Sequence, residues 1–340
     1  MRRESHDRHG LPLPWGGPRP GAPGGEPVSF AFPGVVGTSP RMAELVRLLD
    51  LVAPTEATVL LLGETGTGKE LAAQAIHRNS PRREAPFVVV NCATLPETLL
   101  ESELFGHERG AFSGAVARKE GRFAAAHRGT LFMDEVGEFS PAIQAKILRV
   151  LQSREFEPLG GARTVKVDVR LIAATNRDLE AMLRESKFRE DLFFRLNVFP
   201  IVLPPLRERL EDLPLLAREF LRVYAEKNHR PVKTLAPEVE EAFRHYPWPG
   251  NIRELENVIE RGVIICPGET LTLEDLPPGI QPYGLGLTGE EDPEPNLAEL
   301  ERQLIRRTLD KVAGRRRQAA EILGISLDEL NVKMRAYGLD

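Results

Sequence analysis

Residues 63–70 read GETGTGKE, a run whose spacing suits one kind of chemistry. Gly63, Gly66 and Gly68 leave the backbone free to wrap a phosphate chain and to turn successive N–H groups toward it. Lys69 adds a cation at the outer phosphates. The whole loop, Gly63, Glu64, Thr65, Gly66, Thr67, Gly68, Lys69 and Glu70, is the candidate nucleotide cradle. Glu70 departs from the general pattern, because a Ser or Thr hydroxyl usually helps to hold magnesium at that position. A second run, GTLFMDEV at 129–136, ends an apolar stretch on the carboxylate pair Asp134 and Glu135. Asp134 suits magnesium coordination, and Glu135 suits activation of a water for attack on a terminal phosphate. Asn176, ending the run AATN, is a candidate sensor of that phosphate, and Asn91, ending FVVVN, is similarly placed.

Such groups need strands to deliver them to one edge of a sheet. Five short β-rich runs fit: TVLLLG (58–63), FVVVN (87–91), TLFMDE (130–135), VRLIAATN (169–176) and VFPIVL (198–203). Continuous apolar runs bounded by polar turns suit strands buried on both faces. Helical patterns lie between them. In SPAIQAKILRVLQ, Ser140 is the expected N-cap and Pro141 the expected first helical residue. Strand–helix alternation predicts a parallel α/β sheet, the arrangement that binds ligands beyond its strand ends. After residue 209 helical patterns take over. The expected division is a disordered Pro/Gly-rich head (1–33) and a nucleotide-binding region (34–265), itself an α/β core (34–207) and a helical part (208–265). A linker (266–295) and a small all-α domain (296–340) follow.

Bulk composition narrows the partners. The net charge of −5 gives no overall attraction to nucleic acid, so any basic surface must be local. Cys92 and Cys266 are far apart and fit no metal or disulfide spacing, which predicts two buried thiols. No apolar run reaches membrane-spanning length, and a cytoplasmic location without membrane contact is expected. The segment GHERGAFSGA (106–115) sets Phe112 among glycines and small residues, where neither helix nor strand would bury it.

Taken together, these motifs resemble a known family. Over about residues 34–280 the chain is similar to the NtrC-type AAA+ ATPases, the sigma-54-dependent bacterial transcription activators. The motifs are GETGTGKE, ESELFGHERGAFSGA, GTLFMDE, FREDLFFRLNVFPI, LPPLRER and WPGNIRELENVIER. Residues 296–340 resemble, more loosely, the Fis-like helix-turn-helix domain that follows in that family. The resemblance implies a P-loop AAA+ fold with a helical lid, ATP and Mg2+ as cofactors, and a ring oligomer, expected to be a hexamer. It implies sigma-54 factor and RNA polymerase as partners, with double-stranded DNA upstream. Gly110, Ala111, Phe112, Ser113, Gly114 and Ala115 match the sigma-54 contact loop, Ser113 standing where Thr is usual. Arg189 and Arg195 match arginine fingers that reach a neighbouring subunit's nucleotide, Arg253 the lid arginine, and Asn91 the residue that restrains the catalytic glutamate. Val36, in VVG, lies where the family cradles adenine. Many relatives carry an N-terminal receiver or sensor domain, and this chain is expected to lack one.

The tail predicts three helices, with LDELNVKMRAYG as the candidate recognition helix. Its candidate DNA contacts are Arg315, Arg316, Arg317, Asp328, Glu329, Asn331 and Lys333. Nine Lys/Arg against seven Asp/Glu over 296–340 leave a surplus of two, so a dimerising role stays open beside DNA binding. Two rival functions are a protein-remodelling chaperone and a DNA-binding regulator that does not hydrolyse ATP. GAFSGA argues against the first, and the set Lys69, Asp134, Glu135, Arg189 and Arg195 against the second.

Overall fold

The computed structural model describes residues 37–112, 115–284 and 301–338, apart from 303, 307, 310, 311 and 313. The head, Val36, Ser113, Gly114 and the stretch 285–300 lie outside the described residues. Two compact units form. One runs to Val223 and takes back Trp248–Asn257, and the other holds Tyr224–Pro247 and Val258 onward.

In the first unit, strands β1 (Val59–Leu62), β2 (Phe87–Asn91), β3 (Thr130–Asp134), β4 (Arg170–Thr175) and β5 (Phe199–Val202) form one sheet. Its order is β2-β3-β4-β1-β5, with every neighbouring pair parallel. Alternate residues enter opposite layers, as a period of two requires. Leu60, Leu131, Met133 and Leu171 join Leu104, Ile143 and Ile147 on one face. Val59, Leu61, Phe132 and Ile172 join Leu49, Ala73 and Ile76 on the other. All five strands fall inside the apolar runs that predicted them.

The flanking helices start where local chemistry says they must. Helix α1 (Pro40–Val52) has Ser39 as N-cap, its side chain accepting from Met42 N, with proline in the first turn. Helix α2 (Lys69–Arg78) follows the glycine loop directly. Helix α3 (Pro141–Ser153) is capped by Ser140 with proline at its start, as expected. A buried cation finishes α1: Arg170 Nη1 and Nη2 donate to Ala53 O and Val52 O at 2.7 and 2.8 Å. That places positive charge on the carbonyls at a helix C-terminus, where Val52 O also accepts from Thr55.

In the second unit, helix α4 (Pro237–His245) packs with the helical turn Gln281–Gly284. Of the expected linker 266–295, the described part, 266–284, is folded. Thr270–Leu271 pairs in parallel with Thr234–Leu235, and Thr272 and Asp275 close a capping box. Leu271, Leu276 and Ile280 are buried. Three apolar anchors among prolines bury enough to order the segment, a signal its composition hides. Within the tail, residues 301–309 include helical turns and precede α5 (Arg316–Leu323) and α6 (Leu327–Tyr337). Ile305, Ala319, Ala320, Leu330 and Met334 make its core. Gly324 takes φ +68° between the two helices, and Ser326 caps α6 through Glu329 N.

Candidate functional site

The glycine loop leaves β1 and enters α2 with Gly66 at φ +82° and Gly68 at φ +98°, conformations that L side chains rarely adopt. Gly66 is also constrained by space, because a Cβ there would fall 2.2 Å from Gly250 O. Gly68 caps α2 without a side-chain hydrogen bond. The N–H groups of the first turn are thus left for a ligand, which is how a helix N-terminus receives an anion.

A cavity of about 510 Å³ opens at this loop. Its polar lining comes from Thr65–Glu70, Asn91, Asp134, Glu135, Arg209 and Arg253, and its apolar lining includes Met42, Leu45, Leu203, Leu216 and Phe220. Lys69 Nζ donates to Gly63 O at 2.8 Å and Glu64 O at 3.2 Å, and lies 3.9 Å from Glu135. Burial lowers the Lys69 pKa, while Glu135 and Asp134 oppose that. Burial, then the adjacent Glu135 carboxylate, raises that of Asp134. Two carboxylates crowded in a desolvated pocket favour a cation beside them. Glu135 holds φ +58° and accepts from Asn176 N at 3.2 Å, while Asn176 Nδ2 donates to Thr65 Oγ1 at 3.0 Å. Asn91 lines the same cavity, but its side-chain oxygen accepts from Ala93 N, so Glu135 is held by Asn176 instead. Glu70 is exposed and accepts from Gln74.

The Glu64 side chain is engaged within the protein. Its carboxylate accepts both Arg207 Nη groups, at 2.8 and 2.6 Å, and Asn251 Nδ2 at 3.0 Å. These donors hold its pKa down at about 2. The side chain therefore ties the loop to LPPLRER and to the turn before Arg253. Asn251 is fully buried at φ +54° and also donates to Thr65 O and accepts from Leu206 N, and Ile252 N donates to Gly66 O. Sequence reasoning missed Arg207, Arg209 and Asn251 in these roles. Their partners in the glycine loop lie 142 to 187 residues away, and no local pattern announces them.

Arg189 and Arg195 stand apart from this cavity. Arg189 N-caps the helix Glu190–Leu196 and pairs with Asp191 at 2.7 Å. Arg195 lines a separate cavity of about 220 Å³ with Glu56 and Arg154. In the loop 110–115, Gly110 N donates to Ala115 O at 2.9 Å and Ala115 N to Phe112 O at 3.0 Å. The Phe112 ring is 36% exposed and meets His107 edge-on at 4.9 Å, and His107 Nδ1 lies 2.7 Å from Ser102 Oγ. The segment 158–161 braces the loop: Leu159 bonds Gly106 and Glu108, and a Cβ on Gly160 would fall 2.8 Å from Ala111.

In the tail, three expected DNA contacts, Arg316, Asn331 and Lys333, are engaged internally. Lys333 and Tyr337 both donate to Glu301, and Asn331 accepts from Arg316 at 3.2 Å. Lys333 and Asn331 thus hold the tail's helices in place. Arg315, Arg317, Asp328 and Glu329 are exposed.

A five-stranded parallel sheet, a glycine loop with its lysine and an Asp–Glu pair on one cavity define an AAA+ P-loop ATPase. The comparisons with known proteins place it further. Residues 35–202 match the Sigma-54 interaction domain family, 207–286 the AAA+ ATPase lid domain, and 296–337 the bacterial regulatory protein Fis family. The transcriptional regulatory protein ZraR of Escherichia coli K12 is 50% identical over 301 residues, 88% of this chain and 68% of that protein. The regulatory protein AtoC of the same strain is 48% identical over 320 residues, 92% and 69%. Among solved structures, NtrX from Brucella abortus in complex with ATP superposes with a TM-score of 0.67 at 37% identity, covering 90% of this chain and 69% of NtrX. The chain belongs to the sigma-54-dependent transcriptional regulators, an ATP-binding ATPase with a Fis-type helix-turn-helix. No helix among the described residues is long and apolar enough to cross a membrane.

Proposed function

We propose that this regulator works in the cytoplasm as a ring of subunits, expected to number six, that hydrolyses ATP with Mg2+. The loop 110–115 then presses on sigma-54 bound to RNA polymerase and drives open-complex formation, while the tail tethers the ring to upstream DNA. The observation that carries this reading is the convergence of Lys69, Asp134 and Glu135 on the phosphate end of one cavity. The residues present fit both cofactors. The loop N–H groups and Lys69 hold phosphates, and the crowded acidic pair suits a dication. With Glu70 turned to Gln74, magnesium falls to Asp134. That ion, when bound, neutralises charge on the outer phosphates.

Glu135 orients and deprotonates the attacking water, Asn176 reads the terminal phosphate through its link to Glu135, and Arg253 reads it from the lid side. Asn91 restrains Glu135 in states other than the one described. Arg189 and Arg195 serve the neighbouring subunit's nucleotide, where a guanidinium stabilises charge on the transferred phosphoryl group. Phe112 leaves His107 to meet the sigma factor. Phe112→Ala should keep ATPase activity within about twofold, since the ring does not line the nucleotide cavity, and should abolish open-complex formation with sigma-54 polymerase. Parallel ATPase assays and promoter-opening footprints check this. Equal loss of both activities would make Phe112 a packing residue.

A further inference from the structure

Arg209 is the one buried cation on the nucleotide cavity whose role no motif explains. It is 3% exposed. Nη1 meets the Met42 sulfur at 2.7 Å, a weak acceptor, and Nη2 is 3.5 Å from Thr67 O, at the edge of hydrogen-bond reach. Nε has no partner at all among the described residues. Asp212 lies nearby, yet its oxygens are taken by Thr38 N, Ser39 N and Ser39 Oγ. A guanidinium stripped of water and given a thioether in place of a carboxylate is costly unless an anion completes it.

Its position says which anion. Lys69 occupies the hydrolytic end of the cavity, beside Glu135. Arg209 sits between Thr67, in the phosphate loop, and Met42, on the apolar wall. A nucleotide lying along the cavity has its base on the apolar wall and its outer phosphates at Lys69. The group at the junction is the sugar with its 5′ phosphate, and only the phosphate is charged.

We propose that Arg209 binds the 5′ (α) phosphate of the nucleotide, a contact separate from the outer-phosphate cradle. Its fork donates to a phosphate oxygen and so favours nucleotides over nucleosides, whatever the number of phosphates beyond the first.

The experiment compares adenosine, AMP and ADP binding to the full chain by calorimetry without magnesium, in the wild type, Arg209→Met and Arg209→Lys. Met keeps the apolar stem and removes the charge, and Lys keeps a point charge without the fork. Arg209→Met should weaken AMP and ADP by the same factor, about tenfold or more, the loss expected for one charge-assisted hydrogen bond. It should leave adenosine unchanged, and Arg209→Lys should fall between. The proposal is overturned if adenosine weakens as much as AMP, since Arg209 would then shape the base pocket, or if no ligand weakens. It is overturned equally if ADP weakens and AMP does not, which would place the guanidinium at the outer phosphates. Should Arg209→Met fail to fold, the Lys variant decides alone: AMP and ADP down together with adenosine unchanged supports the assignment, and any other pattern removes it.

Discussion

The Glu64 carboxylate accepts three donors, two from Arg207 and one from Asn251, which hold its pKa at about 2 against an ordinary value of 4.5. A carboxylate whose folded pKa is depressed adds stability that is present above the unfolded pKa. That stability is lost as pH falls through the folded value. The window therefore runs from about pH 4.5 down to 2. The side chain is 42% exposed, so solvent screening makes the contribution smaller than the shift alone suggests. Glu64→Gln should be less stable than wild type at pH 6, and the gap should shrink as pH approaches 3. Urea unfolding across that range measures it. A gap independent of pH would show that the ionised form is not what Arg207 and Asn251 hold. The residue illustrates a general division of labour in the loop: the backbone and Lys69 serve the nucleotide, while Glu64 fixes the loop to its neighbours.

Helices α5 and α6 carry the DNA-reading proposal, and their internal bonds change which residues bear on it. Arg316 is engaged with Asn331, and Lys333 with Glu301, so the phosphate contacts fall to the exposed Arg315 and Arg317. Each phosphate contact contributes about −0.9 to the slope of log affinity against log salt on duplex DNA. Replacing Arg315 and Arg317 together by Ala should flatten that slope by about two units and weaken all sequences alike. A salt titration of the full chain against a fluorescent duplex measures it, with Lys333→Ala beside it and no change in slope expected there. A slope unmoved by the double substitution would assign the tail's exposed cations to something other than phosphate. The stretch leading into the loop 110–115 makes the same point about elements: Gly106 and Glu108 bond Leu159, and Ala111 lies against Gly160, residues of a separate segment.

For the molecule as a whole, the ring proposal turns on arginines that do not line their own subunit's nucleotide cavity. If they complete the site of a neighbour, turnover per subunit rises with protein concentration. Arg195→Ala and Glu135→Gln should each lose most ATPase activity, about a hundredfold or more. Mixing the two should restore part of it. In the mixture an Arg195→Ala subunit keeps its own Glu135 and takes Arg195 from a Glu135→Gln neighbour. Steady-state ATPase of mixed and separate samples at equal total concentration is the measurement. Activity that stays additive on mixing would make Arg195 a residue of its own subunit's surface.

The parts legible in the linear chain are those written in short windows. Apolar-rich runs of five to eight residues marked all five strands, because the inner strands are covered on both faces, although β5 at the sheet edge exposes Pro200 and Val202. Ser140 followed by Pro141 marked a helix start, since both act within one turn. The glycine loop with Lys69, and Asp134 beside Glu135, carried their chemistry in adjacent residues. What packing alone settled was which distant polar groups meet. Glu64 and Asn251 are 187 residues apart, and neither type nor spacing betrays the pair. Residues 270–284 look like linker until Leu271, Leu276 and Ile280 find a surface to cover. Lys333 and Asn331 look like DNA readers until Glu301 and Arg316 reach them. Arg209 is one more Arg in LPPLRER until burial strips it of water. Backbone geometry is set by neighbours along the chain, whereas a side chain's partner is set by whatever the fold carries to its tip.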